Sequence, residues 1–361
     1  MIVVAKIGSS SITDERGVIN AGAIEKLCEE AAGLRAAGHR VVIVTSGAVA
    51  AGVAALGIDR PADLPTLQAL SAAGQSRLMR VYDDVLERHG LVGAQVLLIP
   101  HDFVDRRQYL HARQTLVRLL ELGCVPIINE NDAIADDEIR FGDNDRIAAL
   151  VAHLVGADLL VLLTDTPGLF TSDPRVDTSA SLIEVVEDVD QLSVDVGGAG
   201  TNRGSGGMAS KLSAARMASW SGVSAVIAKA SRPNVLADAV AQVSGTGTFF
   251  RPHGRRTTAR KLWIAFAVTP AGVITVDAGA RNALIERGTS LLPAGVTAVS
   301  GDFEAGDAVD IATVSGEVFA RGLAGVSAEV VERIRGRRTS DLPEGLVHEI
   351  VHRDDLVVFP R

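Results

Sequence analysis

The chain has 361 residues and a formal charge of -9 at neutral pH, which is length enough for two domains and excludes a broad positive field for nucleic acid or anionic lipid. Hydrophobic residues make up 47% but aromatic residues only 4%, so the core must be built from Val, Ile, Leu and Ala, as in buried sheets covered by helices. An anionic substrate must then be held by a few well-placed cations rather than by the general field of the molecule.

The chain opens on Met1-Ile2-Val3-Val4-Ala5-Lys6, an apolar strand run with no basic leader before it. No later run reaches membrane-spanning length without a charge, and a soluble, cytoplasmic protein is expected. The strand Ile2 to Ala5 is followed by an amphipathic helix, Gly22 to Ala37, and a second strand, Val41 to Val44. A long helix, Leu67 to His89, precedes a strand at Ala94 to Ile99, and a helix at Arg107 to Leu122 precedes one at Cys124 to Ile128. Arg146 to Leu154 reads as a helix, and Leu159 to Leu163 and Ala225 to Ala228 as strands. Short apolar runs alternating with amphipathic segments predict an α/β fold with a mainly parallel sheet flanked by helices. Cys28 and Cys124 stand far apart without ligand neighbours, and both read as core thiols.

Near Phe250 the texture changes to Arg251, Pro252, Gly254, Arg255, Arg256 and Arg260. This divides the chain into an α/β domain over 1–250, a basic linker over 251–260 and a small, mostly-β domain over 261–361. Val273 to Val276, Ala308 to Ile311 and Val318 to Ala320 are its expected strands.

In parallel sheets the functional loops lie at the carboxyl ends of the strands. Here those ends read Lys6-Ile7-Gly8-Ser9, Thr45-Ser46-Gly47, Asn129-Glu130-Asn131-Asp132 and Thr164-Asp165-Thr166-Pro167-Gly168. Each fits ordinary turn chemistry; together they favour a shared site. No G-x-x-x-x-G-K phosphate loop occurs, and Gly197 to Gly207 does not fit G-x-G-x-x-G. Two other cation sites remain. Lys6 precedes small residues whose N–H groups suit an anion, although a lysine marking a strand end reads the same way. Gly204-Ser205-Gly206-Gly207-Met208-Ala209-Ser210-Lys211 runs into a helix, placing a lysine beside a helix amino terminus, and a plain glycine linker fits it equally. Asn144 and Asp145 are either helix caps or, with Asp132, substrate ligands and an anchor for the lysines. Transfer of a phosphoryl group to a carboxylate needs no general base, because the acceptor is already ionised. His101, His111 and His153 therefore receive no role, and no metal-ligating set is assigned.

In their order along the chain, Lys6 to Ser10, Ile43 to Val49, Asn129 to Ala133, Gly142 to Asp145, Leu163 to Asp165 and Gly206 to Lys211 resemble the amino acid kinase family. The match is to the branch that acts on the side-chain carboxylate of glutamate. Val273 to Gly336, through Val276 to Ala280 and Arg287 to Gly295, resembles the PUA domain that many members of that branch carry. The resemblance implies an amino acid kinase fold with a C-terminal PUA domain. It implies that Lys6 and Lys211 contact the ATP phosphates, that Asp145 holds both lysines, and that Ser46, Asp132 and Asn144 bind glutamate. Thr164 and Asp165, with Ser205, Gly206, Gly207, Met208, Ala209, Ser210 and Lys211, would line the nucleotide site. It further implies Mg2+, proline as feedback inhibitor and a homo-oligomer, dimer or tetramer. Ser205 stands where the family pattern usually has Thr, which keeps the hydroxyl. The rival readings are a kinase of the same family acting on N-acetylglutamate, aspartate, carbamate or UMP, and an RNA-binding PUA protein. Residues 259–361 hold eleven Lys and Arg against fourteen Asp and Glu, net -3, a poor footprint for RNA.

Overall fold

Uninterrupted runs of branched aliphatic residues suit strands buried on both faces, and the first part of the chain uses them that way. The computed structural model describes residues 1–361 apart from 15, 62, 104, 135–143, 173–176, 178, 193–206, 255–256, 267, 339–340, 342–348 and 360–361. Its internal contacts divide the chain into two units, Met1–Arg256 and Thr257–Arg361.

In the first unit the strands are β1 (Ile2–Ile7), β2 (Arg40–Val44), β3 (Gly93–Leu98), β4 (Val125–Glu130), β5 (Leu159–Thr164), β6 (Val185–Val186), β7 (Ser224–Lys229) and β8 (Gly247–Phe250). They form one sheet in the order β3-β4-β2-β1-β5-β7-β8-β6. Every pair is parallel except β7 with β8. The helices are α1 (Ser9–Ile12), α2 (Ala21–Ala36), α3 (Ala48–Leu56), α4 (Leu64–Arg88), α5 (Arg106–Glu121), α6 (Asn144–Val155), α7 (Met208–Trp220) and α8 (Val235–Val240). Central β1 is flanked by β2 and β5, with Lys6 level with Val44 on one side and Leu162 on the other. The chain leaves β1 toward β2 and β4, then returns through α6 to β5 on the far side. That reversal opens the crevice in which α/β sheets bind ligands.

The core under α2 and α4 packs Ile24, Leu27, Leu78, Tyr82 and Leu86 against Val3, Ile43 and Val161. Its tightest joint is between α3 and α4. A Cβ at Gly74 would meet the Ala48 carbonyl oxygen at 1.9 Å, and one at Gly52 would meet that of Leu70 at 2.0 Å. Two backbones lie in contact there because neither glycine has a side chain. The helix α3 is absent from the expected elements, since its run of Ala, Val and Gly shows no polar face. It starts after Gly47, which takes the left-handed conformation at φ 95°.

Strands β6 and β8 were also not expected, β6 because it is two residues long and β8 because Gly247 to Phe250 abuts the basic segment. The start of the segment 251–260 is anchored to α7. The Arg251 carbonyl accepts from Ser219 Oγ at 2.7 Å, and His253 N–H donates to the Ser219 carbonyl at 2.9 Å. From Ala259 the chain is helical, two residues before the expected start of the second domain.

The second unit holds β9 (Gly272–Val276), β10 (Val296–Gly301), β11 (Ala308–Thr313), β12 (Val318–Leu323) and β13 (Leu356–Val358), with α9 (Ala259–Phe266), α10 (Ala278–Arg287) and α11 (Ala328–Ile334). Its sheet runs β10-β9-β11-β12-β13, parallel only between β9 and β11. Ile274, Val309, Ile311, Phe319, Val331 and Ile350 fill its core. Arg321 pairs with Asp310 at 2.7 Å and donates to the carbonyls of Ala265 and Val268, which ties the end of α9 to the sheet.

The α3–α4 joint leaves no room for a methyl group. Gly74→Ala is expected to cost about 1–3 kcal/mol, measured as a lower midpoint for the first unit in denaturant unfolding, whereas Gly33→Ala, whose added Cβ meets nothing within 4 Å, is expected to be neutral or stabilising.

Candidate active site

One strand end and two helix starts converge on one buried carboxylate. The Asp145 side chain stands in the first turn of α6 and is 1% exposed; Lys6, at the end of β1, is 4% exposed and Lys211, in the first turn of α7, is 6% exposed. Asp145 Oδ1 lies 2.6 Å from Lys6 Nζ, and Oδ2 lies 3.2 Å from Lys211 Nζ. Ser210 Oγ donates to Oδ2 at 2.6 Å. Burial alone would push the Asp145 carboxyl up, but the Lys6 and Lys211 charges, with hydrogen bonds from Lys6 and Ser210, hold it at about 2. One carboxylate thus fixes two ammonium groups on elements far apart in sequence.

Around the lysines the backbone is open to an anion. A Cβ at Gly8 would sit 3.5 Å from Lys6 Nζ, so the loop passes close to the ammonium. Gly207 caps α7 in an extended conformation with no side-chain cap, leaving first-turn N–H groups directed outward from a thirteen-residue helix.

A second polar cluster adjoins the first at the ends of β2 and β4. Thr45 N–H donates to the Ile128 carbonyl at 2.8 Å, and its hydroxyl meets Tyr82 Oη at 2.9 Å. This seats buried Ser46 and left-handed Gly47 between the strand end and α3. Asn144 Oδ1 accepts from Glu130 N–H at 3.1 Å, so the start of α6 touches the end of β4 one residue before it touches the lysines. Asp132 Oδ2 accepts from Ser71 Oγ at 2.9 Å, and Asn129 Nδ2 donates to Gln75 Oε1 at 2.8 Å. Burial raises the Asp132 carboxyl to about 6, against the opposing Ser71 hydrogen bond and Arg60 charge. At the end of β5, Thr164 Oγ1 donates to Asp165 Oδ1 at 3.0 Å while the Thr164 carbonyl accepts from Ala230 at 2.7 Å.

Direct bonds therefore join Lys6, Asp145, Ser210 and Lys211, while Asn144 is bonded to the β4 end and Asp132 to Ser71 of α4. Thr164 and the exposed Asp165 lie at the neighbouring strand end, and Gly207, Met208 and Ala209 start α7. Ser205 and Gly206 lie outside the described residues, as do Gly142 and Asp143. Ser210, expected beside the nucleotide, donates its hydroxyl to Asp145. Sequence reading passed over Ser71, Gln75 and Tyr82. Their signal was present: residues 71, 75, 78 and 82 form one helical stripe, and two polar side chains on a buried stripe call for a polar partner.

A family model described as the amino acid kinase family matches residues 1–229, and one described as the PUA domain matches residues 272–346. The chain belongs to the amino acid kinase family. Glutamate 5-kinase of Caldanaerobacter subterraneus subsp. tengcongensis is 45% identical over 367 residues, covering 100% of this chain and 98% of that protein. Those of Moorella thermoacetica and Myxococcus xanthus are each 46% identical over 363 residues, covering 99% of this chain and 96% of theirs.

The contribution of Asp145 to stability is present above the unfolded carboxylate value of 3.8 and is lost as pH falls toward about 2. Asp145→Asn removes it at neutral pH and leaves two buried ammonium groups facing each other. A loss of about 3–5 kcal/mol is expected, visible as a fall in melting temperature at pH 7 that the native chain shows only in strong acid.

Proposed function

We propose that the chain transfers the γ-phosphoryl group of ATP to the side-chain carboxylate of glutamate, giving glutamyl 5-phosphate, the first step of proline biosynthesis. The observation that carries this reading is the buried Lys6–Asp145–Lys211 trio beside a buried pocket of neutral and acidic polar side chains. Two cations on one anion suit a polyphosphate; the polar pocket suits an amino acid.

In this reading a γ-carboxylate oxygen of glutamate attacks the γ-phosphorus, the bond from that phosphorus to the β,γ-bridging oxygen breaks, and ADP leaves with the electron pair. Charge spreads over the three equatorial oxygens. Lys6 and Lys211, held from opposite sides by Asp145, neutralise it without having to reorganise. Ser46, Asp132 and Asn144 bind glutamate, and Thr164, Asp165 and the 205–211 segment bind the nucleotide. Asp145 commits both oxygens to the lysines, and among the described residues the one grouping of three metal-type ligands is Asp188, Asp190 and His253. There Asp190 is already held by Arg216 at 3.0 Å and Trp220 at 2.9 Å. Neither set fits a resident Mg2+, so we assign the ion to the substrate, as MgATP.

Proline carries the same α-ammonium and carboxylate as glutamate, and we assign it to the glutamate pocket as feedback inhibitor. A homo-oligomer, dimer or tetramer, belongs to the same proposal, as does a cytoplasmic location where both substrates are made. No helix among the described residues is long and apolar enough to cross a membrane.

The test is a hydroxylamine trap for acyl phosphate, with ATP and glutamate, aspartate or N-acetylglutamate. Glutamate is expected to give hydroxamate in large excess over the other two; a preference for either rival would reject the reading. Lys6→Met and Lys211→Met are each expected to lower kcat by about a hundredfold or more. Proline is expected to raise the KM for glutamate without lowering kcat, and inhibition that saturating glutamate does not relieve would place it elsewhere.

A further inference from the structure

The long helix α4 takes no part in the phosphoryl chemistry, yet two of its polar side chains face inward. Gln75 is 8% exposed and Asp132, bonded to Ser71, is 6% exposed. Gln75 Oε1 accepts from Asn129 Nδ2, and its Nε2 is buried with no hydrogen-bond partner. Asp132 gives Oδ2 to Ser71 Oγ, and its Oδ1 is likewise buried without a partner.

A buried polar atom left unpaired is costly, and such atoms in a folded protein call for a ligand or another role. Here one is a donor and the other an acceptor. They are set one helical turn apart through Ser71 and Gln75 and three residues apart through Asn129 and Asp132. A purely anionic ligand would satisfy only the donor and a lone cation only the acceptor, and a hydroxyl could bridge both but would leave the Asp132 charge uncompensated. An α-amino acid zwitterion supplies both missing partners, an ammonium for the acceptor and a carboxylate for the donor.

We propose that α4 reads the amino-acid end of the substrate: Gln75 Nε2 donates to the α-carboxylate, and Ser71 is a positioning residue that holds Asp132 with Oδ1 turned to the α-ammonium. This rests on the reading of the site as a glutamate pocket, and it adds two specificity-determining residues to it. A bound zwitterion fills the remaining valence of each side chain. An N-acylated glutamate offers Asp132 a neutral amide N–H in place of an ammonium, so the buried carboxylate keeps a hydrogen bond but loses the opposing charge, which disfavours that analogue.

The experiment uses the full chain and begins with the hydroxamate assay on glutamate; no product from the native chain rejects the glutamate reading itself. Given product, Gln75→Met and Gln75→Glu are compared. The second keeps an oxygen for Asn129, so it retains that contact while replacing the donor with a charge that repels carboxylate. Both are expected to raise the glutamate KM about tenfold or more, with the ATP KM within twofold of native as the sign of an intact fold. A native glutamate KM in Gln75→Glu would mean that Gln75 only braces Asn129, and would overturn its assignment. For Ser71→Ala the readout is the pH profile of the glutamate KM. In the native chain that KM is expected to rise as pH falls through about 6, where Asp132 takes a proton and loses its hold on an ammonium. Without the Ser71 hydroxyl, and with Arg60 the remaining charge that favours the carboxylate, the rise is expected at higher pH. A profile superimposable on the native one would overturn the positioning role.

Discussion

The buried carboxylate of Asp145 is the constraint on which the arrangement of the first unit depends. Each of its oxygens engages a lysine, one from the central strand β1 and one from the first turn of α7. Nothing in the local sequence of either lysine would fix its ammonium group in a dry crevice; the opposing charge does. A buried ion pair is weak evidence for stability, because desolvation offsets the attraction. Three charged groups gathered at a topological switch point make better sense as preorganisation, in which stability is spent on holding charges where phosphate will need them.

How much of this was legible in the sequence depended on the range of the interaction that fixes each part. The strands from Ile2 to Ala228 were readable because burial on both faces demands unbroken aliphatic runs, and their polar carboxyl ends marked the crevice before any geometry was known. Lys6 and Lys211 stood out because an acidic chain must place its few functional cations deliberately. The two members of the set that lie in 205–206 were named from motif resemblance alone. What could not be read was pairing. Ser210 sits within a glycine-rich phosphate-type motif, and only the fold shows its hydroxyl bonded to Asp145. Ser71 and Gln75 lie more than fifty residues from their partners, in a helix whose amphipathic pattern looked complete without them.

The missed elements share a cause. Helix α3 has no polar face because one side lies against α4 backbone to backbone and the rest is largely small residues, so the usual periodic signal is absent. Strands β6 and β8 are short; β6 forms one edge of the sheet, where a long hydrophobic run is a liability, and β8 lies next to it. In the second unit the alternating pattern of β9, β11 and β12 was visible, whereas α10 and α11 are short helices whose stability comes from packing on that sheet rather than from their own sequence.

Asn144 and Asp145 are consecutive residues, yet the first bonds to the β4 end and the second to the lysines. The two half-sites therefore meet at a single peptide bond and otherwise draw on different parts of the chain. In the function proposed above, phosphate handling is assigned to β1 and α7, and the acceptor pocket to β4 and the glycine-locked pair α3 and α4. On that assignment, changes confined to the helical pair would alter the acceptor pocket while leaving the Lys6–Asp145–Lys211 contacts in place.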